Sequence, residues 1–278
     1  MEAREALEII KELPKGPSVP SAVALGFFDG MHLAHRTVIA KAVEGRKEGL
    51  VPCVFTFDPT QVVPDEKRKA TRLQTPWQKA RILEALGIEK LFSPAFETVR
   101  MLDPKAFVEG LLAKAIGARL LVCGYNYHFG RGALGGVEDL RALCQPLGIR
   151  VEAIHPVTLA GEVVSSTRIR TAVRQGDLAL AQKLLGGPFV LDTPVHRILP
   201  PAEEAGGKAW GILQDFPSDF TLPPSGWYHS RVLLRNEILD TFSQVRDRDC
   251  VTWFDGQIIP ALGESFSVAL MAALDNKP

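Results

Sequence analysis

The stretch that most constrains the fold is a short apolar run followed by two glycines and two histidines, VALGFFDGMHLAH over residues 23–35. The apolar run from Ala22 to Leu25 predicts a buried strand that ends at Gly26. Gly26 and Gly30 allow a turn in which the backbone can approach a ligand closely. From about Met31 the apolar spacing becomes helical, so the stretch predicts a strand–turn–helix unit.

Two histidines lie on the first turn of the predicted helix. His32 and His35 are three residues apart, so their side chains point the same way. A helix start presents unpaired N–H groups and the positive end of the helix dipole, and it therefore attracts anions. Imidazoles at such a position can donate hydrogen bonds to a phosphate and stabilise developing charge. A phosphate site and a pair of ordinary surface histidines both fit this pattern.

The pattern Gly-x-Phe-Asp-Gly-x-His-x-x-His resembles the nucleotide signature of bacterial FAD synthetases, the FMN adenylyltransferase module usually fused to a riboflavin kinase. That family belongs to the nucleotidylyltransferase superfamily, which shares His-x-x-His at a helix start. Its members typically carry glycine before the second histidine, where this chain has Ala34. The resemblance implies that ATP is contacted by Gly26, Phe27, Asp29, Gly30, His32 and His35.

The overall composition is that of an ordinary globular protein. The chain has 278 residues, of which 46% are hydrophobic and 23% are charged, which suits one large domain or two. Lysine plus arginine and aspartate plus glutamate both number 32. The net charge is therefore zero, and there is no global electrostatic case for binding nucleic acid or an anionic membrane.

The cysteines and the start of the chain bear on the compartment. Four cysteines without a Cys-x-x-Cys pair favour small buried thiols in a reducing environment. Met1 to Lys15 mixes charges of both signs, so it reads neither as a secretory signal nor as a membrane anchor. No later stretch is apolar enough to span a membrane. These features predict a soluble, cytoplasmic protein.

A second predicted strand brings further candidate residues to the same rim. The β-rich run Val51–Pro59 follows the first helix, and alternating strands and helices predict a parallel sheet that binds ligands beyond the carboxyl ends of its strands. The rim residues of this run are Phe57, Asp58 and Pro59, and the resemblance implies that they contact FMN. In the resembled family a His-Pro pair near the phosphates and the flavin follows, whereas this chain has Thr60 and Gln61. One polar or cationic contact is therefore lost or replaced.

The buried run Leu120–Gly124 leads into a segment rich in glycine and aromatic residues. This segment is similar to the family motif Gly-x-(Asn/Asp)-Phe-x-Phe-Gly, with Tyr127 in place of the first phenylalanine. The resemblance implies that Gly124 contacts ATP and that Asn126 and Tyr127 contact FMN, and an amide beside aromatic rings suits a planar isoalloxazine. A plain glycine-rich connection fits the same residues. The family often continues with Gly-Asp, where this chain has Gly136 as the second residue.

A third segment, Ser165–Arg170, follows the apolar residues Val163 and Val164. Its hydroxyl residues can cap a helix that begins near Thr167 or Arg168. Free N–H groups, hydroxyls and guanidinium groups then converge at one helix end, which suits the outer phosphates of ATP. The segment closely resembles the superfamily motif Ser-Ser-Thr-x-x-Arg. The resemblance implies that the triphosphate is held by Ser166, Thr167 and Arg170.

Glycines and a proline at 186–188 mark the predicted domain boundary, with domains 1–187 and 188–278. Beyond it, short β-like runs separated by Pro, Gly and charged residues predict a small β-barrel or sandwich, at Val195–Leu199, Trp227–Leu234, Cys250–Phe254 and Ser265–Leu270. The predicted fold class is α/β, a Rossmann-like nucleotidylyltransferase domain with a parallel sheet followed by a small β-barrel-like domain.

The second domain resembles a riboflavin kinase barrel in fragments. Phe216–Phe220 is similar to the kinase motif Phe-Pro-Thr-Ala-Asn, and Leu222–Tyr228 is similar to the Leu-Pro-x-Gly-x-Tyr that follows it. However, Ser218 and Phe220 replace the threonine and asparagine that serve the nucleotide and its magnesium, and the glutamate base has no clear match. We therefore expect a degenerate kinase-like barrel that serves stability, assembly or partner contact.

Together the motifs imply an enzyme that makes FAD and pyrophosphate from FMN and ATP, with Mg²⁺ accompanying ATP. The implied catalytic residues are His32, His35 and Arg170. Three alternatives stay open: transfer of a nucleotide to another small phosphate such as nicotinamide mononucleotide or phosphopantetheine, binding or regulation by flavin nucleotides without turnover, and a bifunctional kinase and adenylyltransferase. The magnesium ligands and the oligomeric state are not specified by the sequence.

Overall fold

The computed structural model describes residues 6–14, 19–57, 71–201, 209–234, 237–254 and 259–275. Contacts between residues divide the chain into two compact units. The first unit comprises Met1–Lys69 and Pro76–Val163, and the second comprises Ala70–Thr75 and Val164–Pro278. In the described part of the chain, no helix has the length and apolarity required to cross a bilayer.

The first unit is built on a six-stranded sheet. Its strands are β1 Glu8–Ile10, β2 Ser21–Leu25, β3 Val51–Phe55, β4 Lys90–Phe92, β5 Ala118–Gly124 and β6 Arg150–Ile154. They lie in the order β1-β4-β3-β2-β5-β6, and every neighbouring pair is parallel. The predicted parallel sheet is confirmed. The edge strand β1 was not predicted, because three residues flanked by charges give too short a pattern.

Helices connect these strands. They are α1 Leu33–Glu44, α2 Pro76–Ala85, α3 Phe96–Val99, a π-helix Ala106–Ile116 and α4 Val137–Cys144, and a short hairpin of β7 Thr158–Leu159 and β8 Glu162–Val163 ends the unit. Alternate residues of β2 point to opposite sides of the sheet: Val23 and Leu25 join one apolar cluster, while Ala22 and Ala24 join the other. Both sheet faces are therefore buried, which is why β2 reads as a continuous apolar run.

The strand order places a topological switch point between β2 and β5. From β2 the chain proceeds to β3 and β4 on one side, and from β5 it proceeds to β6 on the other. In doubly wound sheets of this kind, ligands bind beyond the carboxyl ends of the two strands where the order reverses. The loops that leave Leu25 and Gly124 are therefore the first places to look for a ligand site.

The second unit combines two helices with an antiparallel, barrel-like sheet. The helices are α5 Ser166–Arg174 and α6 Leu178–Leu185. The strands are β9 Phe189–Pro194, β10 Arg197–Leu199, β11 Trp210–Asp215, β12 Gly226–Leu234, β13 Glu237–Val245, β14 Asp249–Phe254 and β15 Ser265–Leu274. They lie in the order β10-β11-β14-β13-β12-β15-β9. The barrel-like prediction is confirmed, although the runs that became β9, β11 and β13 were not recognised as strands.

In sequence, the first unit ends at Val163 and the second resumes at Val164, which is earlier than the predicted boundary at 187/188. Helices α5 and α6 belong to the second unit because α6 packs on β9 and β15. The predicted boundary follows a change of composition, whereas this division follows packing. The functional division into 1–187 and 188–278 stays a prediction.

All four cysteines are free and buried, as their spacing predicted. Burial raises the pKa of Cys53 to about 12 and that of Cys123 to about 11. These thiols therefore stay protonated at neutral pH and pack as small apolar groups.

Candidate functional site

The loop that follows β2 is strained. Positive φ angles occur at Phe28 (49°), Gly30 (88°) and Met31 (41°). For residues with a side chain this conformation costs on the order of 1–3 kcal/mol each. Phe28 and Met31 are each only 1% exposed, so their packing in the core stabilises the strained backbone. Backbone strain of this kind concentrates at binding and catalytic sites.

Gly26 is required at the start of this loop because a ring lies over it. A Cβ atom at Gly26 would lie 3.0–3.2 Å from three atoms of the Phe28 ring. Its N–H donates to the Phe55 carbonyl at 3.3 Å, which ties the loop to the end of β3. The first glycine of the motif is thus needed for close approach within the protein itself.

The Phe27 carbonyl is held by two donors. The Thr56 hydroxyl donates to it at 3.1 Å and the Lys79 ammonium donates to it at 2.9 Å. Lys79 is only 4% exposed, and its Nζ also lies 5.4 Å from the centre of the Phe27 ring. Sequence reasoning missed Lys79 because it falls on the apolar face of α2. A lysine beside the buried Ala80 and Leu83 was the signal that could have found it.

His32 is the N-cap of α1. Its Nδ1 accepts a hydrogen bond from the His35 backbone N–H at 3.4 Å. An accepting nitrogen carries no proton, so this hydrogen bond assigns the proton of the neutral ring to Nε2. His32 is 4% exposed, and its ring stacks on that of His35 with centroids 3.6 Å apart. The His35 ring in turn meets the Phe28 ring edge-on at 5.3 Å. The histidine pair is therefore positioned by the strained loop, with an Nε2–H donor at a helix N-terminus.

The loop after β5 begins beside this one, because Leu25 and Cys123 are paired in the two adjacent strands. Asn126 is exposed, as a ligand-binding amide would need to be. Tyr127 is different: its ring stacks on Phe129 with centroids 6.1 Å apart, it packs against the core, and burial raises its pKa. Sequence reasoning did not separate the exposed amide from the half-buried ring.

Phe57 follows the end of β3, next to β2 in the sheet. Its ring meets Phe55 at 5.6 Å and Phe96 at 5.2 Å, so it packs partly into the core. The neighbouring candidates Asp58 and Pro59, and the departure at Thr60, lie outside the described residues.

In the second unit, α5 begins one residue earlier than expected. Ser165 is the N-cap, and its Oγ accepts from the Arg168 N–H at 3.3 Å, so Ser166 is the first helical residue. A hydroxyl residue caps the helix as expected, but it is the first of the three, so the helix starts before the predicted Thr167 or Arg168. Thr167 and Ser166 precede Arg170 by three and four residues, so all three share one helix face.

Arg170 is 8% exposed, and its guanidinium is held by a segment that sequence reasoning missed. Its Nε donates to the Thr71 carbonyl, and Arg174 Nη2 donates to the Thr71 hydroxyl at 2.9 Å. Thr71 precedes Arg170 by 99 residues and Arg174 by 103, so local patterns gave no signal for these contacts.

A preformed metal cluster is absent from the part of the chain that the structure describes. No group of three or more histidine, cysteine, aspartate or glutamate side chains there could hold an ion.

The first unit is a doubly wound α/β fold with a strained glycine loop and a histidine-bearing helix start at its switch point, the arrangement of nucleotide-binding α/β proteins. The family described as FAD synthetase matches residues 16–168. This range includes both loops of the switch point and most of the Ser165–Arg170 segment. The chain belongs to the FAD synthetase family.

Two curated relatives come from Listeria monocytogenes. A bifunctional riboflavin kinase/FMN adenylyltransferase is 37% identical over 232 residues, which is 79% of this chain and 70% of the relative. A protein named FAD synthetase is 28% identical over 221 residues, covering 78% of this chain and 83% of the relative. A crystal structure titled macrolide-efflux protein from Streptococcus pneumoniae has a TM-score of 0.77 at 25% identity, covering 97% of this chain and 91% of that one.

Proposed function

We propose that this protein is an FMN adenylyltransferase, which transfers AMP from ATP to FMN and releases FAD and pyrophosphate. One observation carries the proposal: His32 Nδ1 caps the helix that begins at the switch point of the parallel sheet, which leaves the proton of the neutral ring on Nε2 as a donor. The activities named for the two Listeria relatives support the same reaction.

The chemical step needs no covalent enzyme intermediate. A phosphate oxygen of FMN attacks the α-phosphorus of ATP, forming a new P–O bond as the bond to the pyrophosphate oxygen breaks. The electron pair of the broken bond leaves with pyrophosphate. Catalysis then rests on holding the two phosphates in line and on stabilising the charge that develops on their oxygens.

The loop after β2 supplies the stabilisation at the reacting phosphate. His32 Nε2–H donates to a phosphate oxygen, and the N-terminus of α1 adds its dipole. His35 stacks on His32 and supports the leaving phosphates. Thr56 and Lys79 act indirectly, by fixing the Phe27 carbonyl and so the path of the loop between Gly26 and His32. Donors fixed before the reaction do not have to reorient during it.

The helix α5 holds the pyrophosphate portion of ATP in this proposal. Ser166 and Thr167 lie in its first turn, and Arg170 follows on the same face. An arginine fork binds two phosphate oxygens at once, which makes it suited to a leaving pyrophosphate. ATP enters as its magnesium complex, so the ion is part of the substrate.

FMN is assigned to the rim formed by the loops after β3 and β5. Asn126 offers an exposed amide for hydrogen bonds, while Phe57 and Tyr127 border the flavin with rings that the core already holds in place. Asp58 and Pro59 complete the predicted FMN set. ATP and FMN are then the partners, and the cytoplasm is the proposed compartment.

We also infer that riboflavin kinase activity is absent. Phe220, at the position of the kinase asparagine, is buried and packs on Phe216 with ring centroids 5.0 Å apart. Asp219 is paired with Arg72 at 2.6 Å. A buried phenyl ring cannot ligate magnesium or a nucleotide, so the motif lacks the groups that phosphoryl transfer would need.

Chromatography of reaction products tests both statements. The full chain is incubated with magnesium and ATP, together with FMN in one reaction and riboflavin in another. We expect FAD from FMN, and neither FMN nor FAD from riboflavin. Flavin binding without FAD formation would indicate a regulatory protein instead of an enzyme. Products from riboflavin would show that the protein is bifunctional. Adenylylation of nicotinamide mononucleotide or phosphopantetheine in parallel reactions would show that FMN is not the substrate.

A further inference from the structure

The segment Thr71–Arg72 joins the degenerate kinase motif to helix α5 within the second unit. Arg72 forms a parallel β-bridge with Phe220: its N–H donates to the Asp219 carbonyl at 2.5 Å, and its carbonyl accepts from the Thr221 N–H at 2.7 Å. The side chains repeat the connection. Arg72 Nη2 donates to Asp219 Oδ1 at 2.6 Å, and the hydroxyls of Thr71 and Thr221 are hydrogen-bonded.

The other side of the same segment holds the arginines of α5. The Thr71 carbonyl accepts from Arg170 Nε, and the Thr71 hydroxyl accepts from Arg174 Nη2. A guanidinium is planar and rigid, so fixing Nε also fixes the direction of its two terminal nitrogens. A free arginine side chain loses rotamer entropy when it is held in one orientation. Holding Arg170 in advance removes part of that cost from phosphate binding.

We propose that Asp219 and Arg72 are positioning residues for adenylyl transfer, because their ion pair anchors Thr71 and thereby orients the Arg170 guanidinium toward the pyrophosphate portion of ATP. In this chain the loop Phe216–Thr221 no longer carries the groups that would serve a kinase, and its carboxylate now supports a phosphate-binding arginine. This inference rests on the proposed function, since it deepens the role assigned to Arg170.

The test is a set of substitutions that remove one charge without changing size. Asp219→Asn weakens the ion pair with Arg72. The matched control is Asp240→Asn, since Asp240 is an exposed carboxylate of the same unit that pairs with Arg231 at 2.7 Å and His229 at 3.2 Å. Each substitution is made in the natural background and with Arg170→Lys. The KM for ATP, the KM for FMN, kcat and the melting temperature are measured, and MgATP binding is followed by calorimetry.

We expect Asp219→Asn to weaken MgATP binding and raise the KM for ATP by about tenfold, an effect of the size of one charge-assisted hydrogen bond. The KM for FMN should stay unchanged, and Asp240→Asn should behave as the natural protein. With Arg170→Lys already present, Asp219→Asn should have little further effect, because both changes disable the same guanidinium. A purely structural role would lower the melting temperature without this non-additivity.

Two results overturn the inference: unchanged ATP parameters in Asp219→Asn, or a loss that is equally large with Arg170→Lys. Arg72→Gln breaks the same ion pair from its other side and replaces Asp219→Asn if that variant does not fold. If the natural protein makes no FAD, the proposed function fails. The calorimetric comparison with MgATP then still decides whether Asp219 acts through Arg170.

Discussion

Two loops of this protein carry motifs of one resembled family, and the structure uses them in opposite ways. The loop Gly26–His32 contains three left-handed residues and a histidine whose Nδ1 is occupied by the backbone. The loop Phe216–Thr221 contains none, and its two aromatic rings pack on each other. Strain is retained in the first loop, whereas the second is relaxed and packed. Substitutions in the first loop should therefore change the rate of FAD formation. Substitutions around the second loop should chiefly change the free energy of unfolding or the positioning of Arg170.

The strongest test of this contrast is His32→Asn. Asparagine is a preferred N-cap and can accept the His35 N–H as Nδ1 does, but it does not extend to the position of Nε2. The helix should therefore remain capped while the proposed donor to phosphate is lost. We expect FAD formation to fall about 10²–10³-fold, the usual effect of removing one preorganised donor. The melting temperature should change little.

The matched control is His196→Asn, which removes an exposed histidine of the second unit that pairs with Asp215 at 3.2 Å. It should leave the rate of FAD formation unchanged. If His32→Asn were as active as the natural protein, the loop after β2 would not be the site of the reaction. His32→Ala extends the series, because it also loses the cap and should cost about 1 kcal/mol of stability.

Gly26→Ala gives the second largest expected effect. The new Cβ would press on the Phe28 ring at 3.0–3.2 Å, so the strained loop must shift by a few tenths of an ångström. Because catalysis depends on donor placement, we expect about a tenfold loss of kcat. Gly110→Ala is the control, since nothing lies within 4 Å of its Cβ position. It should stabilise its helix by up to about 1 kcal/mol with full activity. Equal kinetics for the two variants would contradict the steric argument.

The comparison also explains which features could be predicted from sequence. The parallel sheet and the histidine pair came from local signals: apolar runs, glycines and a helical spacing of three. The start of α5 was predicted one residue too late because three hydroxyl residues in succession all fit a cap. The contacts of Thr71 with α5 and the burial of Lys79 depend on tertiary packing. No pattern within a few residues of either side chain encodes such contacts, so sequence reasoning could not find them.

Tyr228→Phe tests the stability of the segment that follows the loop Phe216–Thr221. Tyr228 belongs to the kinase-like segment Leu222–Tyr228, and its buried hydroxyl donates to the Pro224 carbonyl at 2.6 Å. Burial raises the pKa of Tyr228, so the hydroxyl remains a donor at neutral pH. Removing it should lower the free energy of unfolding by about 1 kcal/mol in urea denaturation. FAD formation should be unchanged, since the hydroxyl supports the segment and contacts no substrate in the proposed reaction.

The control for that measurement is Tyr125→Phe, because Tyr125 is 48% exposed whereas Tyr228 is 2% exposed. Its free energy of unfolding should match that of the natural protein. If Tyr228→Phe slowed FAD formation, the kinase-like segment would contribute to catalysis, and the contrast between the two loops would be wrong.

The smallest expected effect comes from a helix cap in the first unit. Gly136 is the N-cap of α4, where the resembled family often has aspartate, and its N–H donates to Asp139 Oδ2 at 2.8 Å. Its backbone is extended, with φ −108°, and a Cβ there would meet only Asp139 Oδ2, at an ordinary 3.7 Å. Gly136→Ser can therefore add an acceptor for the Asp139 N–H and complete a reciprocal capping pair. We expect the free energy of unfolding in urea denaturation to rise by a few tenths of a kcal/mol, with unchanged FAD formation.

The control is Gly136→Ala, which adds the same Cβ without the acceptor. It should be less stable than the natural protein and than Gly136→Ser, because alanine is a poor N-cap. If serine and alanine gave equal stabilities, the cap would not depend on a side-chain acceptor. In that case the loss of the family's aspartate at this position would have no consequence for the helix it precedes.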